Sequence, residues 1–288
     1  MKFFTETQLP TRARVPILVY AAIAAWGSGC NLFNLGAAAE RITAERPFLP
    51  QLQAERNVVD LEVYFVERVI GDPTIGDGMW RAVNQADGTP SAHARLREAG
   101  IQYGVAPSSP PQALQALISR GFSNSSTKVT TVRKVPLISG SSGPINVASL
   151  PPDRVIPSSG KRGGEPLRVI NGQCTFQVSA QKLQEGWVKL TFLPEILHGA
   201  DQVRRVSTGQ SWEAQRGQRV ESYYDQEFSL DLNTGEFVVV GLSGERPETL
   251  GQMFFRNGDP QGRFQRVMIV RLAGMQHVKP QRSEHGAF

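Results

Sequence analysis

YYDQEFSLDLNTGEFVVVGLSGERPETLGQMFF, running from Tyr223 to Phe255, constrains its own structure more tightly than any other stretch of the chain. From Tyr224 to Leu232, the apolar residues Tyr224, Phe228, Leu230 and Leu232 fall on one face and Asp225, Glu227, Ser229 and Asp231 on the other. That period of two predicts a half-buried strand. Asn233-Thr234-Gly235 then supplies residues that tolerate positive φ, and Phe237 to Val240 follows as a run apolar on both faces. Together they predict a hairpin with its second strand inside the core.

Working outward, the same alternation recurs on both sides of this stretch. Cys174, Phe176, Val178 and Ala180 share one strand face, and Val188, Leu190 and Phe192 oppose Trp187, Lys189 and Thr191 on another, with Gln184-Glu185-Gly186 as the turn between them. A polar excursion covers residues 201–219, and Phe264 to Leu272 closes the series. These runs, almost free of helical periodicity, predict an antiparallel β domain over residues 166–275 and a flexible polar tail over 276–288.

Upstream the pattern mixes. Val59, Leu61, Val63 and Phe65 alternate as a strand, and Met79, Trp80 and Val83 fall at helical spacing. Ser91 can cap a helix carrying Leu96 that ends at Gly100, and Ile101, Tyr103 and Val105 make another strand. Pro110 and Pro111 can open a helix with Leu114, Leu117 and Ile118 on one stripe. The expectation is an α+β protein whose residues 57–121 form a small α/β module, joined to the β domain by a Ser/Gly/Pro-rich linker or excursion over 122–165.

The first 29 residues read as an export signal: Lys2, Arg12 and Arg14, then a 12-residue apolar run from Val15 to Trp26, then Gly27-Ser28-Gly29 before Cys30. The run is short of the roughly 20 residues a spanning helix needs. Small residues before a cysteine resemble a lipobox, which implies lipid attachment at Cys30; cleavage without lipid and a retained anchor remain the alternatives. Residues 30–56 then form a tether. The formal net charge of +5, from 31 basic against 26 acidic residues, becomes +3 once the signal is removed, too little to argue for a nucleic-acid partner.

Chemistry is sparse. Gly160-Lys161 is followed by Arg162 where a phosphate loop needs Ser or Thr. The histidines, at 93, 198, 277 and 285, are isolated, and only His198 has a carboxylate close by, with Glu195 three residues earlier in an expected 193–199 loop. Asp225, Glu227 and Asp231 could line up for a cation, though alternating carboxylates more often make a solvated face. Trp187, Tyr223 and Tyr224 could stack on a sugar, or serve as core. Cys174, left unpaired by a lipidated Cys30, reads as a buried core residue. No catalytic, cofactor or metal site is assigned, and no cofactor is expected.

Two resemblances bear on the chain. Met79-Trp80-Arg81, LREAGIQYG at 96–104, Gln173-Cys174, LPEILHG at 193–199, and Leu250-Gly251 with Phe254-Phe255 resemble a family of exported lipoproteins of planctomycete-type bacteria. Over residues 186–275, the order VKLTFLPEI, FSLDLNTGEFVVVGL, TLGQMFF, RVMIVRL is similar to the C-terminal strands of bacterial secretins, multimeric outer-membrane assemblies. The secretin element Pro-x-x-Leu-Gly occurs once, at Pro247 to Gly251, where it would be a packing element. The reading is a non-enzymatic protein of the cell envelope, periplasm-facing or an outer-membrane lipoprotein, bound to the membrane through its lipid. Its role would be structural or in assembly, within an envelope complex or as a homo-oligomer. A binding module for envelope polysaccharide or peptidoglycan is the alternative, and a hydrolase the third.

Overall fold

Val59, Leu61, Val63 and Phe65 are buried on one side of a long strand, β1 (Arg56–Val69), while Val66 on the other side packs into a second, separate core. A strand apolar on both sides must lie in the interior of a covered sheet, and β1 does. The computed structural model describes residues 56–119, 129–156, 166–207, 212–256 and 263–278. Cys30, the export signal and nearly all of the expected tether fall outside them.

The first sheet has the order β2 (Ile101–Ala106), β11 (Phe237–Leu242), β12 (Phe264–Val278), β1, β3 (Val129–Ile138), every neighbour antiparallel. The second has the order β10 (Phe228–Asn233), β8 (Trp187–Ser207), β7 (Gln173–Gln184), β4 (Ser141–Ser149). β9 (Trp212–Ser222) pairs β8 end to end with β10 and on the same side of it. Where β9 stops and β10 has yet to start, Pro194 of β8 sits with its carbonyl accepting from Tyr223 N–H at 2.9 Å. The missing proline donor thus faces a break in the ladder, which is how a proline survives in a central strand. β5 (Arg154–Ile156) and β6 (Leu167–Val169) form a small two-stranded sheet whose Ile156 and Val169 are fully buried.

One core lies between the two sheets, with Phe176, Phe192, Phe228, Val238, Val240, Met268 and Val270 among its members. The other lies on the far face of the first sheet, where Val239, Phe237 and Ile269 meet Trp80 of α1 (Asp77–Ala82) and Leu114 of α3 (Gln112–Ser119). α2 (Pro90–Glu98) adds Leu96 to the inter-sheet core, and α4 (Leu250–Phe255) adds Leu250, Met253, Phe254 and Phe255. Leu250-Gly251 is the packing element anticipated for it. A Cβ on Gly251 would collide with the carbonyl of Gly100, and Gly251 N–H donates to Ala99 O at 2.8 Å, so only glycine lets the helix approach that closely.

Several expectations are corrected. The 223–255 stretch is not a hairpin: β10 pairs β8 in one sheet, β11 pairs β2 and β12 in the other, and Gly235, at φ +93°, turns the chain across the core between them. Tyr224 opens no strand; it lies in a short 3-10 turn, 69% exposed. Residues 57–121 form no module of their own, because β1 pairs β12 and β3, and β2 pairs β11, so N- and C-terminal strands make one sheet. The 122–165 segment holds β3, β4 and β5 instead of being only a linker. Thr89, not Ser91, caps α2, accepting from Ala92 N–H. β12 runs on to Val278, and Gln276 of the expected tail bonds Asp60 at 2.7 Å.

Candidate functional site

The 193–199 segment is strand, not loop, and this separates the expected pair. Residues three apart on a strand point to opposite faces. Glu195 lies on the outer face, where its Oε1 accepts from Ser222 Oγ at 2.7 Å. His198 lies on the core face beside Ile196, only 5% exposed, and its Nε2 has no hydrogen-bond partner. Burial holds the His198 pKa below the ordinary value; the charge of Arg219, directly across the ladder, lowers it further and Glu221 opposes that. The ring is buried on the core face while Glu195 lies on the opposite face, so the expected carboxylate–imidazole pair does not form.

The other histidines are equally dispersed. His93 stacks on Tyr103 at 4.3 Å with Nε2 2.6 Å from Asp87 O, and His277 Nδ1 lies 2.9 Å from Asn57 Oδ1. His285 falls outside the described residues. Tyr103 stacks in turn on Phe228 and Phe228 on Phe192, so this aromatic row ties the open edges of the two sheets together at β2 and β10. It is a structural seam.

The acidic stripe is a solvated face. Asp225 sits in the 3-10 turn with its carbonyl accepting from Arg95 Nε at 2.9 Å, while Glu227 and Asp231 are exposed and Asp231 lies opposite Lys189 in register. Among the described residues no three His, Cys, Asp or Glu side chains gather to hold a metal ion. Trp187, Tyr223 and Tyr224 form no platform: Trp187 is half-buried, Tyr223 is buried and Tyr224 is exposed. Cys174 is fully buried, and burial raises its thiol pKa; Tyr223 nearby is raised by burial and by the charges of Glu221 and Cys174.

One feature was not anticipated from sequence. Beside the edge strands β3 and β4 is a groove of about 290 Å³ lined by Phe65, Glu67, Arg133, Arg266 and residues Asn146–Ser149. The guanidinium carbons of Arg133 and Arg266 lie 5.8 and 5.7 Å from the Phe65 ring centroid. Glu67 holds Arg266 through two bonds to one carboxylate oxygen, the Nε one at 2.9 Å. Arg133 is exposed and makes no ion pair among the described residues. These residues come from four strands far apart in the chain, so no local motif could have announced them.

No protein-family model matches the chain, and no curated protein matches it. Similar solved structures include the InvG secretin-domain β-barrel from the Salmonella SPI-1 injectisome, 12% identical over 80% of this chain and 65% of that one, with a TM-score of 0.26. The type II secretin GspD of enteropathogenic Escherichia coli is 14% identical over 79% of this chain and 70% of that one, with a TM-score of 0.25. The type IV competence pilus secretin PilQ of V. cholerae is 12% identical over 78% and 60%, with a TM-score of 0.21. All are secretins, the family to which the strand order of residues 186–275 is similar. This chain spans just under two thirds of the length of the InvG domain, and TM-scores this low do not establish a common fold. The resemblance to planctomycete-type lipoproteins has no counterpart in these comparisons.

Proposed function

We propose that this chain is an exported, non-enzymatic protein of the cell envelope, held to the membrane by acyl chains on Cys30 and acting as a structural or assembly component. The observation that carries the reading is the run of basic residues, 12 apolar residues and Gly27-Ser28-Gly29-Cys30 at the start of the chain. The sandwich supports it, because the candidates for chemistry in the described residues are dispersed over different faces. Glu195 bonds Ser222, His198 fills core space, and Asp231 faces Lys189. Among the described residues no helix is long and apolar enough to cross a bilayer. Two or three acyl chains anchor a protein stably where one does not.

Fractionation and intact-mass measurement of wild type and Cys30→Ala test the anchor. Wild type should pellet with membranes and carry the mass of a diacylated or triacylated chain starting at Cys30; the variant should be released or left unprocessed. Unchanged partition and mass in Cys30→Ala would sink the proposal. Co-purification of an envelope complex from native membranes, against retention on immobilised peptidoglycan, separates the assembly role from a polysaccharide-binding one.

A further inference from the structure

We propose that the groove between the β3 and β4 edges binds a ligand bearing a single carboxylate, gripped by Arg133. The Arg133 guanidinium is held over the Phe65 ring at 5.8 Å and has no acidic partner among the described residues, whereas its neighbour Arg266 is already matched by Glu67. The lining charges therefore sum to one uncompensated positive charge. A planar guanidinium docked on an aromatic face presents its outer N–H edge in a fixed plane, the geometry that takes a carboxylate through two parallel bonds. Glu67, 27% exposed in the same groove, repels a second negative charge and so disfavours phosphates.

The other wall is the edge strand β4. Between Asn146 and Ala148 the ladder of β4 with β7 slips by one residue, leaving Val147 as the extra position of a bulge on an edge strand. Among the described residues β4 is the edge of its sheet, and Asn146 to Ser149 on it line the groove. At about 290 Å³ the space suits one amino-acid or monosaccharide unit. An added strand is the poorer fit, because Pro136 on β3 and Pro144 on β4 remove donors from both edges. The chemistry shared by a peptide carboxylate and a uronic acid is what the groove selects, and the proposal stands whether or not Cys30 is acylated.

Saturation-transfer NMR on the full chain in detergent tests it with two probes, N-acetylalanine and glucuronate, each against its uncharged counterpart, N-acetylalanine amide and methyl glucoside. At least one carboxylate should give a saturable signal in the millimolar range and its neutral counterpart none; whichever carboxylate binds more tightly names the source. Arg133→Gln, which keeps the stem over Phe65, should weaken that binding about tenfold with the melting temperature unchanged. Lys189→Gln removes an equal charge from the far face of the second sheet and should change nothing. Silence from both carboxylates, equal signals from a neutral counterpart, full binding in Arg133→Gln, or an equal loss in Lys189→Gln each overturns the proposal.

Discussion

The two sheets of this sandwich obey opposite hydrophobic patterns. The first is covered on both faces, so consecutive residues of β11 go to different cores: Val238 and Val240 to the inter-sheet core, Phe237 and Val239 to the layer under α1 and α3. The second is covered on one face only, so in β10 Phe228, Leu230 and Leu232 are buried while Ser229 and Asp231 are exposed. These strands are joined by three residues of turn, yet one exposes alternate side chains and the other none. The turn between them is where the chain leaves a half-wet sheet for a fully buried one.

The largest effect should come from the helix that closes the shared core. Phe254 is fully buried, 5.0 Å from the Phe176 ring, and Phe254→Ala should cost about 3 to 5 kcal/mol in chemical denaturation. A cost below about 1 kcal/mol would mean that the cavity collapses freely, which a close-packed two-sheet core does not do.

The contrast itself is tested by pairs of neighbours. Val238→Ala and Val239→Ala should each cost about 2 to 4 kcal/mol, since both side chains are fully buried in different cores. In β10, Leu230→Ala should cost a similar amount while Ser229→Ala stays within about 0.5 kcal/mol, its hydroxyl meeting only Thr191 Oγ1 at 2.8 Å on the open face. Equal losses at Ser229 and Leu230 would show a register shifted by one residue.

What was legible in the sequence follows the same divide. The alternation of β7, of β8 up to Leu193 and of β10 from Phe228, and the double-sided run of β11, are set by local burial and read as strands; the stripes of Met79 and Trp80 and of Leu114 and Leu117 read as helices, whereas the polar excursion expected over 201–219 holds the end of β8 and most of β9. Pairing was not legible, because a turn such as Asn233-Thr234-Gly235 fixes a change of direction but not whether the next strand joins the same sheet. The edge strands β3 and β4 were hidden for a further reason. They bury little, Leu137 in one and Ile145, Val147 and Ala148 in the other, so their Ser, Gly, Pro and charged residues look like linker composition. The groove they frame was invisible with them. The Glu195 and His198 proximity was legible as spacing and misread as a loop, since the alternation of Phe192, Pro194, Ile196 and His198 marks a strand that continues through a proline.

His198 gives the pH dependence a direction. Its pKa is held below the ordinary value, so in the range below about pH 6.5 the unfolded chain binds more protons than the folded one. Stability should be fully present above that pH and fall as the pH drops through the range. Melting curves of wild type and His198→Phe, compared between about pH 7 and 5, should show a steeper acid loss in wild type. Parallel curves would mean that the ring is solvated and not part of the covered face.

The smallest expected effect is the most discriminating for chemistry. Glu195→Gln keeps the hydrogen bond from Ser222 Oγ and lies on the bare face of the second sheet, so its cost should stay within about 0.5 kcal/mol. His198→Ala removes a buried ring from the core face and should cost more by itself. Because the backbone of β8 stands between the two side chains, the double variant should lose only the sum of the single losses, with a coupling within about 0.5 kcal/mol, as for sites with no shared partner. A coupling above about 1 kcal/mol would require carboxylate and imidazole to meet, which β8 can allow only by unpairing from β9 at Glu195 to His198. That result would bring the acid–base reading of residues 193–199 back, and it would show the bare face to be less separate from the core than the alternation of its residues implies.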